Sequence, residues 1–166
     1  MTLFPRAEVE LKSTAEFQTP PDREPHDVTF STTYAGAHRI VVFDRTAGTS
    51  VSWPDGTPMT VVSGIDQPAR FNGRWKLSFY VPRGTKVVGG FSGGEGKLLD
   101  ADDKEIHAFS RTPGYFSIPV PEGHDGRLWT FAHSSGERHL MTVPPCLARN
   151  AAELLLPREV VERDRR

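Results

Sequence analysis

Apolar and polar positions alternate with a period of two through much of the chain, and that period predicts short β-strands. Arg74–Val81 is the clearest run: Trp75, Leu77, Phe79 and Val81 fall on one face, and Lys76, Ser78 and Tyr80 on the other. Pro82-Arg83-Gly84 ends it with turn residues. Further short strands are expected at His38–Asp44, Thr49–Trp53, Met59–Ser63, Lys86–Phe91, Lys97–Leu99, Lys104–Phe109, Tyr115–Val120, Leu128–His133 and His139–Val143. Glu8–Phe17 reads as an edge strand or extended arm.

Turn sequences such as Pro54-Asp55-Gly56 and Gly93-Gly94-Glu95-Gly96 separate these runs at a spacing of roughly 8–12 residues. That rhythm predicts an all-β fold, an antiparallel β-sandwich of jelly-roll-like form. Only the tail predicts helix. Asn150 is placed to cap Ala151–Leu156, Pro157 interrupts, and Arg158–Arg165 makes a second charged turn. The expected organisation is an extended arm over residues 1–27, a sandwich over 28–149, and a helical tail over 150–166 pinned by Leu154, Leu155 and Leu156.

Composition narrows the function classes. Lys and Arg number 20 against 21 Asp and Glu, so there is no overall attraction for nucleic acid or anionic lipid, and no nucleic-acid partner is expected. The longest apolar runs are about four residues, against roughly 20 for a membrane-spanning helix. Met1–Arg6 lacks a basic segment followed by an apolar one, so no secretory leader is expected there, and the compartment stays open. A single cysteine, Cys146, excludes an internal disulfide and a multi-cysteine zinc site.

Several stretches carry candidate chemistry. Gly90-Phe91-Ser92-Gly93-Gly94 has the spacing of a nucleophile elbow, but glycines and another strand follow where a helix is required, so a β-turn is expected. The acidic run Asp100-Ala101-Asp102-Asp103 has two readings. Asp100, Asp102 and Asp103 supply carboxylates for a calcium ion, or the run is an acidic hairpin turn. No other cofactor is expected. His133 and His139 flank the turn Ser134–Arg138 and, if they met across a hairpin, would be two ligands of a transition metal. Glu122 and Asp125 sit in a plain loop sequence.

The aromatic residues offer a different chemistry. Trp75 and Trp129 lie on apolar faces and are expected in the core, whereas Tyr34, Trp53, Tyr80 and Tyr115 fall at strand edges or on polar faces. Exposed rings on a β scaffold stack on sugar rings while nearby polar groups bond the hydroxyls. The alternative for each ring is packing under a loop.

Phe79-Tyr80-Val81-Pro82-Arg83-Gly84-Thr85-Lys86 resembles a strand end found in accessory β-sandwich modules, tyrosine-valine-proline-x-glycine-threonine. With Leu99–Lys104 and Val120–Trp129, the stretch of roughly Arg74–Pro145 is similar to galactose-binding-like jelly rolls and to pre-peptidase C-terminal-like domains. Such modules occur in large bacterial proteins, often attached to carbohydrate-active enzymes. The resemblance implies a non-catalytic appended module, a polysaccharide or glycan as ligand, and an adjacent catalytic domain as neighbour. Where those modules often have Asp-x-Asp-Gly, Asp103 stands in place of the glycine. A structural or protein-interaction domain packing against a catalytic partner, and a small metal-dependent enzyme or hydrolase on a β scaffold, are the other two classes that the sequence leaves open.

Overall fold

The computed structural model describes residues 15–33, 35–43 and 48–165. The chain divides into two units, Met1–Ser50 and Val51–Arg166.

The described residues of the first unit contain no strand. The strand expected at His38–Asp44 is therefore not formed over 38–43, and Asp44 lies outside the described residues, as does most of Glu8–Phe17. Thr49–Trp53 is likewise irregular. β-Branched residues suit a strand, but a strand also needs a neighbour for its ladder. Without one, Ile40, Val41 and Val42 are about half exposed and Phe43 is 92% exposed. Phe17 and Phe30 meet edge to face at 5.0 Å.

In the second unit the strands are β1 (Val61–Val62), β2 (Trp75–Val81), β3 (Val87–Ser92), β4 (Gly96–Leu99), β5 (Glu105–Phe109), β6 (Gly114–Pro119), β7 (Arg127–Ser134), β8 (Arg138–Leu140) and β9 (Cys146–Leu147), followed by the helix α1 (Arg158–Asp164). All pairings are antiparallel. One sheet runs β2-β7-β4-β5, a second β6-β3-β8, and β1 pairs with β9. The packing is sandwich-like, with no closed barrel, so the all-β expectation holds. Among the described residues the first strand is at Val61–Val62.

Side chains from both sheets fill the space between them. Phe79, Val81, Val88, Leu98, Trp129, Phe131 and Leu147 are fully buried. The alternation of β2 works as read: Leu77 pairs opposite Phe131 and Phe79 opposite Trp129. Phe131 is a hub, with its ring centroid 4.9 Å from Phe79, 5.9 Å from Phe109 and 6.0 Å from Trp75. The indole of Trp129 donates to the His124 carbonyl at 2.9 Å, which satisfies its one polar atom inside the core. The free edge of β2 is closed as well, because Ser78 exchanges both backbone hydrogen bonds with Ala148.

The tail departs from expectation. Asn150 Oδ1 accepts the N–H groups of Ala152 and Glu153, but what it caps is a turn, not a helix. The residue before a proline is pushed out of the helical region, so Pro157 ends any helix at Leu156 and starts α1 afresh. Glu153 holds this turn: it is 2% exposed, while Leu154 and Leu156 are half-buried and Leu155 is 47% exposed. Its carboxylate takes two parallel hydrogen bonds from Arg149, at 2.8 and 2.7 Å, and one from Asn150 at 3.1 Å. Its carbonyl accepts from Met59 N–H at 3.0 Å.

Arg149 holds the Glu153 carboxyl below its ordinary value of 4.5, and Arg127 does the same for Asp102 from 3.8. A carboxylate with a depressed folded pKa contributes stability that is complete above its unfolded pKa and is lost as pH falls through the folded one. The melting temperature is therefore expected to be level above about pH 5 and to fall below it. Glu153→Gln should melt lower than the parent at neutral pH and lose less on acidification. Thermal melts between pH 3 and 7 check this, and parallel curves for the two proteins would refute it.

Candidate functional site

The residues singled out by sequence reach different fates. Tyr34 lies outside the described residues. Trp53 is half-buried with the Arg149 guanidinium stacked 4.3 Å from its ring, so one face is already occupied. Tyr80 is half-buried beside Asp164 of α1; burial pushes its phenol pKa up, and the Asp164 carboxylate adds to the rise. Neither ring is a free platform. Tyr115 is different, at 76% exposed.

Asp100, Asp102 and Asp103 build the β4–β5 hairpin. Asp100 Oδ1 accepts the N–H groups of Asp102 and Lys104 at 2.9 and 3.0 Å, and its other oxygen lies 3.2 Å from His124 Nδ1. Asp102 pairs with Arg127 at 2.7 Å. Asp103 takes the left-handed backbone position, φ 59°, and is exposed, a conformation that short polar side chains tolerate. These contacts fit the hairpin reading. Among the described residues no three His, Cys, Asp or Glu side chains converge as metal ligands.

His133 and His139 do not meet across a hairpin. β7 belongs to the four-stranded sheet and β8 to the three-stranded one, so Ser135–Glu137 crosses between sheets. Ser92 is in a strand, 5% exposed, and donates to the Gly94 carbonyl at 3.0 Å; it is neither an exposed nucleophile nor in a turn. Asp125 accepts the Gly84 N–H at 2.6 Å and so braces a loop, while Glu122 faces solvent.

What sequence reading missed is a row of rings. In the three-stranded sheet Phe91 pairs opposite Tyr115 on one side and opposite His139 on the other. Residues at paired positions share a face, and the alternating neighbours Gly90, Phe116 and Leu140 point into the core side. Tyr115, Phe91 and His139 therefore line up across β6, β3 and β8 on the outer face. Tyr115 meets Phe91 edge to face at 5.5 Å, and Phe91 lies at 5.4 Å and 30° to His139. Tyr115 is the exposed end; Phe91 is half-buried behind it, and the His139 side chain is only 12% exposed, with its Nε2 buried.

The row rests on two unusual inner positions. Gly90 leaves room for the Phe116 ring and for the backbone of β8: a Cβ there would come within 2.0 Å of the His139 carbonyl oxygen. Arg138, next to His139 but pointing inward, is fully buried. Its guanidinium donates to the carbonyls of Ser135, Glu137 and Glu95 at 3.2, 2.9 and 2.8 Å and packs 4.5 Å over Phe109. Burial lowers its pKa to about 10, so it stays charged at neutral pH. Ser63 ties in a third loop, donating to the Arg138 carbonyl at 2.6 Å and accepting the Ala69 N–H at 3.1 Å.

Those anchored loops surround an open depression of about 210 Å³, lined by Arg70, Phe71, Asn72, Gly93, Gly136 and Glu137. Glu137 connects it to the rings: its carboxylate lies 3.4 Å from Arg70 Nε and 3.5 Å from His139 Nε2. Nearby, Arg111 bonds Glu95 at 3.1 Å and holds its carboxyl below the ordinary range. The arrangement combines aromatic surface with donors and acceptors at one end. No protein-family model matches the chain, and no curated protein or solved structure matches it.

Proposed function

We propose that the chain is a non-catalytic carbohydrate-binding or accessory module whose ligand surface is the Tyr115–Phe91–His139 row. The observation that carries the reading is a large ring held by its neighbours yet 76% exposed. Exposure of an aromatic side chain leaves its apolar surface in water. A sugar ring covers that surface with its own C–H face, and the polar groups at the His139 end take its hydroxyls. The adjacent catalytic domain implied by the family resemblance belongs to the same proposal.

An array of plant, fungal and bacterial polysaccharides tests the reading. Selective binding is expected, with Tyr115→Ala weakening it roughly tenfold, about 1.4 kcal/mol, while the melting temperature stays unchanged. A protein that binds nothing on the array, or whose binding ignores Tyr115, defeats the proposal.

One observation favours a second reading, a protein-interaction domain. Ile40, Val41, Val42 and Phe43 form a run of exposed apolar side chains, and such surface marks association sites. Capture of a partner domain that is abolished by charges at Val41 and Phe43, with no sugar bound, would select this reading over the first.

A further inference from the structure

We infer that the depression beside Glu137 is a second subsite of the ring surface, and that the ligand is an uncharged sugar chain spanning both. The inference rests on the carbohydrate reading above and adds the ligand's charge class and its minimum length of two residues.

Continuity comes first. Glu137 lies within 3.5 Å of both Arg70, on the depression, and His139, at the end of the ring row. A chain that crosses the rings from Tyr115 past Phe91 and then turns along the line of β8, over the largely buried His139, reaches the depression at Glu137. The successive ring spacings of 5.5 and 5.4 Å make a path longer than a single sugar ring, so one residue does not cover the whole surface.

The lining suits a sugar ring. Phe71 presents an aromatic surface that is itself held 4.9 Å from Trp75. Asn72 and Arg70 are exposed, and Glu137 is half-buried. Together they offer amide, guanidinium and carboxylate groups, which donate to and accept from hydroxyls. Two glycines let the lining loops pack closely against each other. A Cβ at Gly93 would come within 2.6 Å of Glu137 Cγ, and one at Gly136, where φ is 68°, within 2.9 Å of the Gly93 carbonyl oxygen. The depression is open rather than enclosed, a shape that admits the middle of a chain as readily as its end.

Charge selects the class. Arg70 faces Glu137 and Arg111 faces Glu95, so each of these arginines already has a carboxylate. A carboxylated or sulfated chain that pairs with either guanidinium lies beside the carboxylate already there, a like-charge contact that disfavours binding. Hydroxyls bridge the same pairs without displacing either partner.

Calorimetric titration with cello-, xylo-, manno- and galacto-oligosaccharides of one to six residues, and with oligogalacturonides of equal length, tests this. For at least one neutral series the affinity is expected to rise roughly tenfold between one and three residues, with oligogalacturonides binding at least tenfold more weakly. Asn72→Ala and Glu137→Gln should flatten the gain with length, whereas Tyr115→Ala should weaken every length. Neutral sugars that bind with no gain in length overturn the second subsite. Oligogalacturonides that bind as tightly overturn the charge class. If no sugar of either kind binds the parent protein, the carbohydrate reading itself fails, and this inference with it.

Discussion

Gly90→Ala is expected to cost roughly 3 kcal/mol of stability, the upper end of the range for overfilling a packed site. The reason is local. An added Cβ meets the His139 carbonyl oxygen at 2.0 Å and the Phe116 ring at 2.7 Å. Backbone cannot rotate away as a flexible side chain does, so β8 must shift from β3. Gly114, in β6 of the same sheet, is the natural control, because a Cβ there meets nothing within 4 Å. Gly114→Ala should be neutral or stabilise by about 0.4–1 kcal/mol through the unfolded state. Urea unfolding of both variants measures the contrast. Equal midpoints would mean that β8 moves freely, and the ring row would lose its proposed footing. The same shift separates His139 from Phe91, so Gly90→Ala should also weaken any binding at that surface.

Arg138→Ala is expected to cost on the order of 4 kcal/mol, because three loop carbonyls lose their partner in a buried setting and each such loss costs about 1–3 kcal/mol. Removal of the guanidinium from beside the Phe109 and Trp75 rings adds to this. Arg138→Lys should recover little, since an ammonium does not reproduce the planar fork that reaches Ser135, Glu137 and Glu95 together. Arg138→Met separates packing from hydrogen bonding. It should fall between the alanine variant and the parent, because it restores volume but leaves the carbonyls unpaired. A methionine variant as stable as the parent would show that the carbonyl contacts contribute nothing net. Stability by denaturant titration decides among these outcomes.

Legibility in the sequence followed the range of the interactions that decide each feature. Strands β2 to β8 were readable because alternation is local and turn residues bound each run. The same pattern misled at His38–Asp44, since a strand-forming sequence does not supply its own ladder partner. Glu153 was overshadowed by three leucines beside it, although its burial depends on Arg149 and on Met59, far away in the chain. Tyr115 was legible as an exposed ring. Phe91 and His139 were not legible as its neighbours, because the register of β3 with β6 and β8 is set by non-local pairing. Arg138 gave no signal at all, as arginine is ordinarily a surface residue. His133 and His139 lie on different sheets because the short loop between them crosses from one sheet to the other instead of closing a hairpin, which local turn residues do not reveal.

The pairing of β1 with β9 has a mechanical consequence. Val61 lies opposite Leu147 and Val62 opposite Cys146, so the start of the first strand sits beside the end of the last. Tension applied through the two ends of this unit therefore peels the strands apart one pair at a time instead of sliding them past each other. Before β1 is reached, the load passes through the Met59–Glu153 hydrogen bond and the Thr60 hydroxyl that holds Leu155 N–H at 2.7 Å. That short clasp, with the Arg83 N–H that holds Asp164 of α1 at 2.9 Å, is what a pulling load opens before it reaches the β1–β9 pairs, while the ring surface is carried by a different sheet.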